Sequence, residues 1–210
     1  MWVDNMVKTT AMSYLYISIL IFFCCIVTNK PAMSYEEPTY EVVKKTSIYE
    51  VRLYAKRTVA QVVYGKEDSG FRVLFDYISG GNKTSKEVQM TVPVTQSETI
   101  DMTVPVTRSN QDDRMIMQFF LPKQYSSKNA PTPDDNRIDI VDLPEAYYAV
   151  ISYSGSASDK NFKKHFNELK VALDRDNLKI SGMPIKATYN SPFTLPFLRR
   201  NEAMFLLDWN

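Results

Sequence analysis

The chain of 210 residues is long enough for one compact domain with a short appendage. Its apolar fraction of 44% and charged fraction of 23% are ordinary for a globular protein, and its formal net charge of +1 gives no electrostatic reason to expect a nucleic-acid partner. Thirteen Tyr and eleven Phe favour strands and an aromatic core or pocket.

Cysteine and histidine are scarce, which narrows the possible chemistry. Cys24 and Cys25 are adjacent and lie in the most apolar stretch, so the sequence after them can form no disulfide and no Cys metal site. His165 is the only histidine, which excludes a multi-histidine metal site. The sequence contains no glycine-rich phosphate loop and no Gly-x-Ser-x-Gly or His-Glu-x-x-His motif. We therefore expect that the protein is not an enzyme.

Residues 1–34 form a hydrophobic signal peptide or a membrane anchor in our interpretation. The run from Tyr14 to Val27 is apolar and uncharged and follows Lys8, as in a secretory signal. A membrane-spanning helix usually needs about 20 apolar residues, and this run is shorter. Small residues at Ala32 and Ser34 suit signal peptidase, whose cut would release a domain of residues 35–210. The secretory pathway or the extracellular space is the predicted location.

Two alternatives for this segment stay open. It could remain attached as a membrane anchor, since Lys30 and Pro31 lie close to the cleavage region. Translation could also start at Met33, which would leave the domain in the cytoplasm. The sequon Asn82-Lys83-Thr84 would be usable for glycosylation if the chain enters the secretory pathway.

From Tyr40 the pattern becomes rich in β-branched and aromatic residues, and it then changes to a helical period. Phe71, Leu74, Phe75 and Ile78 recur at i, i+3, i+4 and i+7, which predicts a helix over Gly70–Ile78 with this face in the core. Asp68 or Ser69 can cap its start and Gly80-Gly81 can end it. The predicted strands before this helix are Tyr40–Lys45, Tyr49–Tyr54 and Thr58–Tyr64.

A short duplication follows the first helix. The segment Met90–Thr95 reads Met-Thr-Val-Pro-Val-Thr and recurs as Met102–Thr107. Because proline lacks a ladder donor, each copy should lie at the edge, a bulge or the end of a strand within Glu87–Thr95 and Thr99–Thr107. Met115–Leu121 is a further strand, and the polar segment Gln124–Asn136 is a loop between two halves.

The second half repeats the first in outline. Asp159–Arg175 is a predicted helix with Phe162, Phe166, Leu169 and Leu173 on one face. A strand-rich unit with one helix, followed by another, indicates an α+β domain. The strands of this half are predicted at Arg137–Val141, Tyr147–Tyr153, Ile185–Tyr189 and Ala203–Trp209.

The order of these motifs resembles the SOUL haem-binding family. The opening strand Tyr49–Tyr54, the helix and turn over Phe71–Asn82, and the segment Lys86–Val94 with its Met-Thr-x-Pro-Val signature are similar to the family's first half. The similarity continues with Phe120-Leu121-Pro122, Pro131-x-Pro133, Tyr189-Asn190-Ser191-Pro192 and Arg199-Arg200-Asn201-Glu202, and so spans Tyr40 to Trp209. A second copy of the signature and a hydrophobic N-terminus are departures from the family.

The resemblance implies a fold and a function. It implies a distorted antiparallel β-barrel built from two pseudo-symmetric β-sheet halves, each with one long helix. It implies non-enzymatic binding of haem or related porphyrins, for buffering or transport. It also implies a fold-level likeness to bacterial domains that hold small amphipathic ligands in a cleft. A protein-interaction or small-ligand sensing domain that uses the same cleft without haem is the alternative.

Candidate ligand contacts lie on the first helix and in a late loop. Val73 and Tyr77 lie away from the predicted core face and could bind the flat apolar body of a porphyrin. The apolar loop before Arg199 and Arg200 suits a ligand with carboxylate edges, or else these arginines pair with Glu202 or Asp208. The predicted contacts in that loop are Phe193, Leu195 and Phe197.

His165 is the candidate axial ligand of haem iron. It lies at the border of the apolar face of the second helix, where a half-buried, hydrogen-bonded histidine is the usual outcome. Met90, Met102, Met115, Met117 and Met183 could also act as ligands, but they are more simply read as core residues.

Overall fold

A computed structural model describes residues 36–65, 69–83, 100, 104–111 and 114–209. The chain divides into two compact units, Met1–Ser34 and Tyr35–Asn210. All described elements lie in the second unit: β1 Tyr40–Lys45, β2 Glu50–Tyr54, β3 Arg57–Tyr64, α1 Gly70–Ile78, β4 Asn82–Lys83, β5 Val106–Gln111, β6 Arg114–Phe120, β7 Thr132–Pro133, β8 Ile138–Leu143, β9 Ala146–Tyr153, α2 Asp159–Arg175, β10 Lys179–Ile180, β11 Ile185–Thr188, a 3-10 turn Pro196–Leu198 and β12 Asn201–Asp208.

Both helices have the bounds that the sequence predicts, because their caps are local. The side chain of Ser69 accepts a hydrogen bond from the backbone N–H of Arg72, and that of Ser158 accepts one from the N–H of Asn161. Each serine satisfies a donor that the first helical turn leaves without an intrahelical partner.

The α+β class is confirmed, and the sheet is a strongly curled half-barrel. Its ten strands in the described part of the chain are antiparallel and follow the order β1-β2-β9-β12-β11-β5-β6-β3-β8, with β10 beside β12. The chain runs β2-β3-α1-β5-β6 and then β8-β9-α2-β11-β12, which is the same succession twice. The first strand of each half pairs with a strand of the other half: β2 pairs with β9, and β8 pairs with β3. The two halves therefore form one sheet, with β5 paired to β11 at their junction.

Side chains alternate between the two faces of the sheet, and both helices pack on the same face. Leu169 and Leu173 of α2 pack on one half, and Leu74 and Ile78 of α1 pack on the other. The opposite face carries a third cluster of buried residues: Tyr54, Val104, Tyr148, Val150, Ala187, Tyr189 and Met204. Because the sheet, both helices and these clusters lie within the second unit, we expect residues 35–210 to fold on their own.

The rotation of α1 about its axis differs from the prediction. Leu74 and Ile78 are buried as expected, but Phe71 and Phe75 are 44% and 45% exposed, and Tyr77 is 1% exposed. The Tyr77 hydroxyl donates a 2.9 Å hydrogen bond to the carbonyl of Pro131, so its polar end is satisfied in the interior. Phe71 and Phe75 stack on each other at a centroid distance of 5.9 Å, and Phe71 also meets the buried Phe119 edge to face at 5.3 Å, so the pair lies at the margin of the core.

The prediction for the duplicated segment can be compared with the structure only in part. Residues 84–99 and 101–103 lie outside the described residues, and with them the first copy of the duplication and the start of the second. β5 begins at Val106, later than the predicted strand Thr99–Thr107.

Asn82 of the sequon is 1% exposed and its side-chain amide donates to the carbonyl of Tyr77 at 2.7 Å, so a glycan there is incompatible with the fold. No helix in the described part of the chain is long and apolar enough to cross a membrane.

Candidate ligand-binding site

A groove lies beside the start of β3, where residues 36–39 enter the domain. Its volume is about 500 Å³, which is in the range of ligand pockets. We call it the Arg57 groove. Its walls are the segment 36–39, the turn and strand start 55–58, and the segment after β6 with Phe120, Leu121, Lys123, Tyr125 and Ser126. Arg57, Phe120 and Pro38 also line a cavity of about 30 Å³ beneath it, between the two halves of the sheet.

The Arg57 guanidinium is the chemically distinctive group of this groove. It lies 4.9 Å from the ring centroid of Tyr54, 5.0 Å from that of Tyr148 and 5.7 Å from that of Phe120. Three aromatic faces stabilise the cation without neutralising it. One N–H donates to the carbonyl of Ala55 at 3.3 Å, and the buried Nε has no hydrogen-bond partner among the described residues. Such an arginine has guanidinium N–H donors available to bind a carboxylate.

The other charges at the groove are mostly paired. Lys56 binds Asp142 at 3.2 Å, and Glu37 binds Arg200 at 2.8 Å. Glu36 accepts a 3.0 Å hydrogen bond from the backbone N–H of Lys123 and faces no cation within ion-pair distance in the described chain. Among the cations that line the groove, Arg57 and Lys123 therefore have no carboxylate partner in the described residues.

Asp142 holds one wall of the groove in place. Its carboxylate accepts hydrogen bonds from the Thr58 hydroxyl at 2.8 Å, the Ser127 N–H at 3.0 Å and the Ser127 hydroxyl at 2.9 Å. These donors, first the Thr58 hydroxyl and then both groups of Ser127, hold the pKa of Asp142 well below its usual range. The carbonyl of Tyr125 lies 3.1 Å from the same Thr58 hydroxyl and shares its single proton with Asp142. The segment with Tyr125 and Ser127 is therefore fixed to β3 and β8.

A buried ionic network lies on the same face of the sheet. Arg52 and Glu202 form an ion pair at 3.1 Å, and the hydroxyls of Tyr189 and Ser152 donate to Glu202 at 2.5 Å and 3.0 Å. Burial, together with the charge of Glu202, raises the pKa of Tyr54 to about 12 and that of Tyr189 further. Burial opposes the charge of Arg52, but the attraction of Glu202 prevails and raises its pKa. This network is satisfied internally and orders the floor of the half-barrel.

Val73 and Tyr77, the predicted contacts on the first helix, line a different groove. It has a volume of about 320 Å³ and lies between α1 and the segment 134–138, with Asp76, Asp134, Asp135 and Arg137 on its walls. The expectation that Tyr77 lies off the core is wrong, because the helix is rotated. A ligand role for Val73 stays a prediction.

The predicted apolar loop is exposed. Phe193, Leu195 and Phe197 are 94%, 55% and 71% exposed, and they line none of the grooves described here. Arg199 donates from Nε to the carbonyl of Thr194 at 2.7 Å and from its terminal nitrogen to that of Pro192 at 2.6 Å.

Arg200 is engaged in the protein rather than free for a ligand. It stacks at 3.6 Å from the ring centroid of Tyr189, and its Nε lies 3.4 Å from Glu202, in addition to the Glu37 pair. The alternative that this arginine pairs with Glu202 is thus the one that the geometry supports. Binding of a ligand by Arg199 or Arg200 stays a prediction.

His165 packs against an aromatic ring of the sheet. Its imidazole stacks on Tyr153 at a centroid distance of 4.2 Å, and its Nδ1 lies 3.3 Å from a carboxylate oxygen of Glu168 without hydrogen-bond alignment. It lines none of the grooves described here. Within the described ranges, no cluster of three or more His, Cys, Asp or Glu residues could hold a metal ion.

Sequence reasoning missed Arg57 and Lys123. A local signal existed for Arg57, since it shares the period-two face of β3 with Val59 and Gln61, opposite the residues that pack on α1. Nothing in the sequence shows that Tyr54, Phe120 and Tyr148, from three separate strands, meet around it.

Comparisons with known proteins place the chain among related sequences and folds. The sequence model described as SOUL heme-binding protein matches residues 35–206. No curated protein was found to match the sequence. The C-terminal domain of EcmrR has a similar structure, with a TM-score of 0.52 and 10% identity over 81% of this chain and 99% of that one. A hydrolase from Listeria innocua has a TM-score of 0.51 and 13% identity over 79% of this chain and 94% of that one. At these identities the structural likeness shows the fold alone.

Proposed function

This chain belongs to the SOUL heme-binding protein family, and on that premise we propose that it binds haem or a related tetrapyrrole non-enzymatically in the Arg57 groove. The observation that carries the proposal is the guanidinium of Arg57, which is held by three aromatic rings and has no carboxylate partner among the described residues. A porphyrin combines a flat apolar disc with two carboxylates, and the groove offers aromatic walls with two available cations, Arg57 and Lys123.

The residues of the groove fit the porphyrin body better than they fit its iron. Phe120, Leu121 and Pro38 supply apolar surface, and burial of such surface contributes about 25 cal/mol per Å². Tyr125 is the one lining side chain whose type serves as a haem ligand, as an oxygen donor. We therefore propose that affinity depends on the disc and its carboxylates, and that haemin and iron-free protoporphyrin bind with similar affinity.

The test is a titration of residues 35–210 with haemin and with protoporphyrin, followed by absorbance. Arg57→Gln should weaken both complexes by about tenfold or more, because a charge-assisted hydrogen bond contributes roughly 1.5–3 kcal/mol. Arg137→Gln, in the groove beside α1, is the matched control and should leave both affinities unchanged. If the control loses affinity and Arg57→Gln does not, the ligand lies beside α1. Spectra identical to those with an unrelated protein would favour an interaction or sensing domain that uses the same groove without haem.

We also propose, from the sequence, that residues 1–34 direct the chain into the secretory pathway. Mass spectrometry of protein from expressing cells should find a mature end near Tyr35. An intact Met1 would indicate an anchor, and a cytosolic form that starts at Met33 would indicate internal initiation.

A further inference from the structure

A second surface of the molecule has the chemistry of a lipid contact. The loop of residues 193–198, between β11 and β12, presents four large apolar side chains to solvent. Phe193 is 94% exposed, Leu195 55%, Phe197 71% and Leu198 62%. A folded domain rarely leaves so many large apolar groups together on one short loop unless they serve an interaction.

The exposure of these side chains is built into the fold of the loop. Arg199 bonds to the carbonyl of Thr194 in the loop and to that of Pro192 just before it, and the N–H of Gly155 donates to the carbonyl of Pro196 at 2.8 Å. Gly155 has a φ of 101°, a conformation that favours glycine, and its own carbonyl accepts from the side chain of Asn201 at 3.2 Å. The backbone at the base of the loop is thus held to the sheet while the side chains point away from the core.

Basic residues follow Gly155, which contacts this loop, in the chain. The start of α2, a few residues after Gly155, carries the exposed Lys160, Lys163 and Lys164. They share the solvent-facing side of the helix, three and four residues apart. Within the described chain the ion pairs of α2 involve Asp159, His165, Arg175 and the capping Asp176 rather than these lysines. They are therefore available to anionic groups outside the protein.

We propose that the loop of residues 193–198 inserts into the interface of an anionic membrane while Lys160, Lys163 and Lys164 contact lipid headgroups. Apolar side chains beside lysines are the combination that binds membrane surfaces. A stable protein partner is a poorer occupant, because specific protein interfaces bury about 800 Å² per partner, well beyond a single loop of six residues.

The described chain begins beside the proposed membrane contact. Glu37 binds Arg200, only two residues after the end of the loop, so the polypeptide enters the domain beside the proposed contact.

Co-sedimentation of residues 35–210 with vesicles tests the proposal without the N-terminal run. Binding is expected to vesicles of phosphatidylcholine and phosphatidylserine in equal amounts, and much less to phosphatidylcholine alone. Phe193→Ser combined with Phe197→Ser should lower the partition coefficient by about tenfold or more. Lys163→Glu combined with Lys164→Glu should remove the preference for phosphatidylserine and its dependence on salt. Val171→Ser, at an exposed apolar site on α2, is the matched control and should bind as the wild type does.

Three results would overturn the proposal. One is the absence of vesicle binding by the wild-type domain. Another is equal loss in Val171→Ser, which would indicate a general effect of surface hydrophobicity. The third is a wild-type dimer in sedimentation that the Phe193 and Phe197 substitutions dissociate, which would assign the loop to a contact between two copies. Porphyrin affinity measured on the same variants keeps this proposal separate from the proposed function, since the loop variants should retain it.

Discussion

Arg52 and Glu202 form an ion pair in the interior of the sheet, with Nη1 of the arginine 3.1 Å from a carboxylate oxygen and side chains that are 6% and 1% exposed. They are 150 residues apart in the chain and belong to β2 and β12, which lie on either side of β9. The pair therefore connects an early strand to the last one.

Removal of one partner of this pair should be strongly destabilising. We expect Arg52→Ala to lower the free energy of unfolding by about 3 kcal/mol, because the buried Glu202 then keeps only the longer contact with Arg200, at 3.4 Å, as a cationic partner among the described residues. Lys179→Ala, which breaks an exposed pair with Asp208, should cost less than about 1 kcal/mol. Urea denaturation of both variants gives the comparison, and equal losses would contradict a structural role for the Arg52–Glu202 pair.

The stability of the domain should depend on Asp142 at acidic pH. Because hydrogen bonds lower the pKa of this carboxyl in the folded state, its contribution is complete above the unfolded value of about 4 and is lost as pH falls toward the folded pKa. Asp142→Asn should therefore be less stable at neutral pH and should lose less stability over that acidic range. Urea midpoints over a pH series measure this. Asp139→Asn, at an exposed position of the same strand, is the control and should follow the wild type.

Tyr77 should affect stability rather than ligand binding. Tyr77→Phe removes the hydroxyl that donates to the buried carbonyl of Pro131, and an unsatisfied buried acceptor costs about 1–3 kcal/mol. Thermal or urea unfolding gives the loss, and a titration should show unchanged porphyrin affinity. A variant of wild-type stability that binds porphyrin weakly would place the ligand against α1 instead.

His165 should be dispensable for haem. Its ring stacks on Tyr153, so His165→Ala should lower stability slightly, by about 0.5–1.5 kcal/mol for the ring pair, and leave the affinity for haemin and protoporphyrin unchanged. His165→Phe should recover the stability. Loss of haemin binding with retention of protoporphyrin, seen by absorbance, would show instead that α2 holds the iron.

The sequence by itself determined the elements whose signals are local. Both helices have the predicted bounds, the first from a capping candidate and its periodicity and the second from periodicity alone, because a cap and a helical period involve residues only a few positions apart. The repeated succession of strands and a helix could be predicted from the sequence for the same reason. The order of motifs was sufficient to indicate the family.

Tertiary structure decided which elements meet and which side chains they bury. The pairing of β2 with β9 and of β8 with β3 joins segments far apart in the chain, for which no local pattern exists. α1 is rotated so that Tyr77 is buried and its hydroxyl bonds to the carbonyl of Pro131 from a distant segment, while Phe71 and Phe75 stay about half exposed. The partners of Arg57 likewise come from three strands that only the curled sheet brings together. Local patterns therefore predicted the segments, whereas the candidate site depends on long-range packing, which sequence periodicity does not encode.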